Sequence, residues 1–262
     1  MPQKTYILLT IVLITAIIAL AGLFYWQAKR PYEFSNNPSS QNPNELPKTT
    51  ENENQQATTT PIQIKGEISR GSLNKKQIIF TFDAGAGINS AQKILDTLQE
   101  HNIKGTFFAT GKFAQQNPDL IKQIAAQGHE IFNHTYSHPH LTQATDEQIK
   151  EEFDKTEQII SGLTGAATKP YFRPPFGERS EHVLKVASEL GYQSVYWTLD
   201  AWDWMPEATE AQVKDRIYSS LKNGAIILMH VGDNITGNIL DEVFTKIEND
   251  GYKIVGLTEG LN

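Results

Sequence analysis

The chain has 262 residues and no cysteine. That absence excludes disulfide staples, thiolate nucleophiles and lipid attachment through a cysteine, and it confines any metal to His, Asp and Glu donors. A basic excess is missing too: Lys and Arg number 23 against 30 Asp and Glu, for a formal net charge of −7. Nucleic-acid binders usually carry a basic face, so this balance argues against a nucleic-acid partner. Charge of either sign is absent from Tyr6 to Trp26, "YILLTIVLITAIIALAGLFYW". A membrane-spanning helix needs about 20 such residues. Lys4 precedes the run, Lys29 and Arg30 follow it, and Tyr6, Tyr25 and Trp26 mark its ends as aromatic belts do. A cleaved signal peptide has a shorter apolar core and a small-x-small cleavage site, and "LFYWQAKRP" offers none. Residues 1–30 are therefore expected to form an uncleaved single-pass anchor, with its helix over 6–26, placing the rest of the chain outside a cell membrane.

Apolar residues are scarce in "PYEFSNNPSSQNPNELPKTTENENQQATTTP", Pro31 to Pro61. Such a composition cannot bury enough surface to order itself, so residues 31–70 are expected to be a disordered linker. From Gly71 the pattern changes, and residues 71–262 are expected to be one folded domain. Strand-like runs recur at Gln77–Asp83, Gly105–Thr110, Glu130–His134, Tyr171–Arg173, Ser194–Asp200, Ala225–His230 and Tyr252–Leu257. Helical patterns separate most of them, over Ser90–His101, Pro118–Gln127, Asp146–Gly162, Ser180–Leu190, Glu210–Leu221 and Ile239–Asn249. Alternating strand and helix implies a parallel sheet covered by helices. The count suits a (β/α) barrel one unit short; an open doubly wound sheet is the alternative that periodicity leaves open.

Ionisable residues end these runs: Asp83, His134, Arg173, Asp200 and His230. In a parallel barrel the C-terminal strand ends converge on one rim, where active sites form. "NHTYSHPHL" places His134 and His138 four apart, near enough to share a metal, and Pro139 disfavours a helical His138. His101, His129 and His182 lie outside this cluster. "YFRPPFG" offers Arg173 to orient a carboxylate, and its prolines stiffen a loop in which the Phe176 backbone N–H could serve an oxyanion. "YWTLDAWDW" gathers Trp197, Trp202 and Trp204 around Asp200 and Asp203. Trp197 is expected in the core, and one of the other two at the site. His230 is placed for acid–base work on the open rim.

"TFDAG", "HTYSHP", "RPPFG", "DAWDW" and "LMH", in this order, resemble the five motifs of the polysaccharide deacetylases, the fourth family of carbohydrate esterases, from Gln77 to the C-terminus. The resemblance implies a distorted (β/α)7 barrel and metal-dependent removal of N-acetyl groups from a glycan, peptidoglycan or another N-acetylglucosamine polymer. By the same resemblance Asp83 is the general base, Arg173 its partner, His230 the acid and Asp203 its tuner. His134 and His138 are metal ligands, for Zn2+. Phe176, Trp202, Trp204 and Tyr136 bind substrate. One position departs: the family reads Thr-Phe-Asp-Asp-Gly, its second Asp completing the metal triad, and here that position is Ala84. The departure leaves room for a membrane-tethered glycan-binding pseudoenzyme, and the same machinery would serve an O-acetyl esterase of the acetylxylan type.

Overall fold

A computed structural model describes residues 66–262. The expected anchor, and the linker up to residue 65, lie outside the described residues. Among the described residues no helix is long and apolar enough to cross a membrane. In chain order the elements are β1 (Gln77–Ala84), α1 (Ala91–Glu100), β2 (Thr106–Ala109), α2 (Gly111–Gln116), α3 (Pro118–Ala126), β3 (Glu130–Asn133), α4 (Asp146–Thr164), β4 (Tyr171–Phe172), α5 (Glu181–Glu189), β5 (Gln193–Ser194), β6 (Leu199–Asp200), α6 (Glu210–Ser219), β7 (Ala225–His230), α7 (Ile235–Asn249), β8 (Lys253–Val255) and α8 (Leu257–Leu261).

Every residue of β1 is buried, as expected for a parallel strand covered on both faces. Side chains alternate along it. Ile78, Phe80, Phe82 and Ala84 pack outward in one cluster with Ile94 and Leu98 of α1 and Val243 and Phe244 of α7. Ile79 packs in a separate inner cluster with Phe108, Phe132 and Ile226, and Thr81 and Asp83 follow it on the inward face.

The pairings among the named strands are parallel. The order is β5-β4-β3-β2-β1-β7-β6, with β8 also pairing β1. From β1 to β5, and from β6 to β7, strands adjacent in sequence are adjacent in space, and the first pairs with the late β7 and β8. That is the order of a barrel; a doubly wound sheet would reverse at a switch point. The strand expected over Ser194–Asp200 divides in two. Gln193 and Ser194 pair with β4, while Leu199 and Asp200 pair with β7. Between them the Tyr196 N–H donates to the Ile68 carbonyl and the Thr198 N–H to the Ile226 carbonyl. Ile68 thus takes the place of a strand neighbour, and the ladder is interrupted there. The result is a parallel-strand half-barrel instead of a continuously closed (β/α)7 barrel. Residues ahead of Gly71 belong to the packed unit, since Ile68 bridges Val195 and Arg70 bridges Ala225.

α4 starts at a reciprocal cap between Thr145 and Gln148 and ends at Gly165, whose φ of 74° suits glycine. α7 begins four residues before the expected Ile239. Thr236 and Gly237 are weak helix formers, and the Asp233 carboxylate supports this turn by accepting the Thr236 N–H at 2.8 Å.

Candidate active site

Parallel register brings the strand ends together. Asp83 on β1 is the Cα partner of His230 on β7. The Arg173 N–H donates to the Asn133 carbonyl, and the His134 N–H to the Ala109 carbonyl, so these residues stand just past β4 and β3. They open on a cavity of about 830 Å³ lined by Asp83, His134, His138, Phe176, Trp204 and His230, among others.

Arg173 is fully buried and crosses the barrel interior. Its Nη1 donates to Asp83 Oδ1 at 2.7 Å and to Thr81 Oγ1 at 2.9 Å, and the guanidinium lies over the Phe108 ring at 4.2 Å. Asp83 is 7% exposed, so the open-rim position expected for it is corrected: the inward face of β1 carries it below the rim, against Arg173. Burial raises its carboxyl, but the charge of Arg173, then His134 and His230, outweighs this and holds it below the ordinary value of 3.8.

His134 Nδ1 lies 2.9 Å from the Arg173 carbonyl. A carbonyl only accepts, so Nδ1 carries the proton and Nε2 presents a lone pair. That nitrogen faces Asp83 Oδ2 at 3.4 Å. Burial lowers the His134 ring, against the pull of Asp83, and burial is the largest cause that lowers His138 to about 4. Both imidazoles are therefore neutral, with ring centroids 4.8 Å apart. Two neutral imidazoles and a facing carboxylate oxygen suit a borderline divalent cation, so the donors fit such an ion through two nitrogens. A third protein donor is not in place. Among the described residues no group of three His, Cys, Asp or Glu could hold a metal ion, and Ala84 packs in the outer cluster instead of lining the cavity.

The loop that carries His138 is held without a helix. Thr135 and His138 adopt φ of 64° and 60°, a region costly for residues with a side chain. Asn133 Oδ1 accepts the Thr135 N–H, and Thr135 Oγ1 accepts the His138 N–H. Glu152 on α4 accepts the Tyr136 and Ser137 N–H groups at 2.8 and 2.7 Å. Across the cavity Phe176 has φ of 57°, and its ring sits between those of His138 and His140, 4.4 Å from each. Among the described residues the Phe176 N–H makes no hydrogen bond, and Phe176 lines the cavity.

On the other side, Asp203 Oδ1 lies 3.0 Å from His230 Nδ1, and Asp203 Oδ2 accepts the His230 backbone N–H at 2.7 Å. Burial lowers His230, but the Asp203 hydrogen bond and charge outweigh it and raise the ring above 6.5. Burial raises Asp203, and the His230 hydrogen bond and charge bring it below 3.8.

Trp204 lines the cavity, 53% exposed, with Nε1 donating to the Asp200 carboxylate at 3.3 Å. Trp202 does not line it; Arg216 covers one face of its ring at 3.4 Å. Tyr136 also lies outside the lining, its hydroxyl donating to Gln115 and its ring covered by Lys155 at 3.6 Å. Trp197, expected in the core, packs partly buried against the inner cluster and also lines the cavity while stacking on Tyr196. Sequence reasoning missed Thr81, Glu152, Asp233 and Thr236. Only Asp233 carried a signal, as a carboxylate three residues past His230 in "HVGDN".

A family model described as polysaccharide deacetylase matches residues 70–195. Peptidoglycan-N-acetylglucosamine deacetylase of Bacillus cereus is 36% identical over 191 residues, covering 71% of this chain and 69% of that protein. Peptidoglycan-N-acetylmuramic acid deacetylase PdaA of Bacillus subtilis is 37% identical over 184 residues, covering 70% of each. The crystal structure of a family 4 carbohydrate esterase pseudoenzyme from Bacillus anthracis superposes with a TM-score of 0.72 at 31% identity, covering 75% of this chain and 69% of that one. A mutant of that pseudoenzyme, described as having restored enzymatic activity, matches with the same TM-score at 32% identity, covering 75% of this chain and 71% of its own.

Proposed function

The chain belongs to the polysaccharide deacetylase family, hydrolases of amide bonds, and from that premise we propose that it removes N-acetyl groups from a cell-wall glycan, peptidoglycan first, outside a membrane to which its N-terminal segment holds it. One observation carries this reading: a carboxylate held charged by Arg173 and an imidazole held protonated by Asp203 face one cavity from adjacent strands. A binding protein has no use for such a pair.

The chemistry runs between them. Water adds to the acetyl carbonyl carbon as Asp83 takes its proton. The carbonyl oxygen, now negative, meets the free Phe176 N–H. The C–N bond then breaks as the protonated His230 gives its proton to the leaving nitrogen. Acetate and a free amine result. Lewis acidity toward the acetyl oxygen would come from a divalent ion such as Zn2+ held by His134 Nε2 and His138. The exposed ring of Trp204 offers a face for the C–H side of the sugar or its acetyl methyl.

A second reading, a glycan-binding chain without turnover, is favoured by the absence of a third metal donor among the described residues. Acetate release from N-acetylglucosamine oligomers and from peptidoglycan, with and without added Zn2+, decides between them. No acetate in any condition would sink the enzymatic reading.

A further inference from the structure

Besides Asp83, two carboxylates line the cavity: Asp200 is engaged by Trp204 Nε1, and Asp233 has no part in the proposed reaction. Asp233 precedes α7 and is fixed in place: the Thr236 N–H donates to its Oδ1 at 2.8 Å. Ser90 Oγ donates to its backbone carbonyl at 2.5 Å and accepts the Gly237 N–H at 2.9 Å. The Thr236 hydroxyl stands between two carboxylates, 2.6 Å from Asp203 Oδ2 and 3.1 Å from Asp233 Oδ2.

A hydroxyl has one proton to give. Asp203 is the charged partner of His230 and can only accept, and its contact is the shorter, so it takes that proton. The remaining contact then sets a Thr236 lone pair against Asp233 Oδ2. It is attractive only when Asp233 itself carries a proton.

We propose that Asp233 is a positioning residue for His230: as a carboxylic acid it donates to the Thr236 hydroxyl, which donates to Asp203, so that the pair presents a single negative charge to the His230 ring. This rests on the reading of His230 as the acid. Burial and then the Asp203 charge raise Asp233 to about 7, in keeping with the geometry. The groups around it are Asp203 from the loop before α6, His230 from β7, and the uncharged Ser90 and Thr236. Lys93 on α1 is engaged by the Asn238 side chain at 2.6 Å. Asp83 and Asp200 act on His230 by charge, after Asp203. When pH passes the Asp233 midpoint, a second negative charge arrives beside His230 and the ring holds its proton more firmly. The native ring should therefore titrate in two steps.

The test is a ring NMR titration of His230 in the full chain, its signal assigned by loss in His230→Gln. The native signal should show an inflection near pH 7, where Asp233 ionises. Asp233→Asn keeps the acceptor for the Thr236 N–H and a donor for its hydroxyl but never ionises. It should leave one step, at lower pH than the last step of the native chain. Thr236→Val removes the bridging hydroxyl but keeps both carboxylates, so its curve should keep two steps with the Asp233 step displaced, and Thr236→Ser should restore the native curve. An unchanged His230 titration in Asp233→Asn overturns the proposal. Should that variant not fold, the native curve decides alone, and a single step without the inflection overturns it. The readout needs no turnover, so a chain that released no acetate would sink the proposed function and leave this inference standing.

Discussion

The two sides of the cavity are built from the same pair and differ in a third member. On one side Asp83 faces His134 at 3.4 Å, and on the other Asp203 faces His230 at 3.0 Å. Arg173 joins the first pair, at 2.7 Å from Asp83, and Asp233 joins the second through Thr236. The cation holds Asp83 charged, while the buried His134 stays neutral; the carboxylates hold His230 charged. Burial opposes the charged form in each case; Arg173 overcomes it for Asp83, and Asp203, with Asp83 and Asp200 behind it, overcomes it for His230. A charged carboxylate and a charged imidazole thus come from one kind of pair.

The comparison breaks most severely at its buried end. Asp83→Asn should lower acetate release by ~10²–10⁴-fold, the usual range for a general base. It should also leave the fully buried Arg173 without its counter-charge, a loss on the order of 3 kcal/mol, visible as a lower Tm. Near-native turnover would remove Asp83 from the mechanism, and an unchanged Tm would show that Arg173 does not depend on it.

His230→Ala should cost turnover in the same ~10²–10⁴ range with a smaller fall in Tm, because the Asp203 carboxylate keeps the residue-230 backbone N–H and Thr236 as donors. Its pH signature is distinct. A group whose folded pKa is raised contributes stability that is complete below its unfolded value, near 6.5, and fades as pH rises through the folded one. The Tm difference between native chain and variant should therefore shrink above pH 6.5. Asp83 has the opposite sign: its contribution is present above 3.8 and is lost as pH falls through the lower folded value. A Tm difference for His230→Ala that grows with alkaline pH would contradict the assignment.

A smaller change is expected at the metal donors. With two imidazoles in place, Ala84→Asp adds a carboxylate at a position 1% exposed. A carboxylate is costly in the outer cluster where Ala84 packs, so the strand end should turn it toward the imidazoles. Calorimetry should then show Zn2+ affinity rising by ~10-fold or more, by analogy with the cost of losing an outer-shell partner. The apo variant should melt lower than the native chain and recover on adding Zn2+. A dissociation constant unchanged from the native chain would place residue 84 out of reach of the imidazoles.

The smallest effects lie at the rim. Trp204→Ala should raise KM by roughly fivefold, about 1 kcal/mol for an exposed aromatic face. Trp202→Ala should change it less, since Arg216 already occupies one face of that ring. Equal effects from the two would mean that the substrate reaches past the cavity mouth.

Much of this was legible in the chain. Apolar runs ending in Asp83, His134, Arg173 and His230 announced a rim of strand ends, because a parallel sheet aims all its C-termini one way. The short helix Gly111–Gln116 gave no periodic signal at its length. The division of Ser194–Asp200 between β4 and β7 depends on Ile68, more than a hundred positions earlier. Tyr136 reads as a site residue within "HTYSHP", yet it turns to Gln115 and Lys155, a choice made by α2 and α4 and not by the loop.

By itself the sequence determined residue chemistry and strand periodicity. These include the absence of thiols, the alternation of strands and helices, the strand-end Asp, His and Arg, and the Ala84 departure, all local in the chain. Only the tertiary structure decided which charges are real. Asp83 became a buried, charged carboxylate because its register beside β7 and the reach of Arg173 across the barrel put a cation on it. Asp233 became a partner of Asp203 because the first turn of α7 set Thr236 between them. Protonation follows from distances of a few ångströms between groups far apart in sequence, in an interior where water no longer screens them.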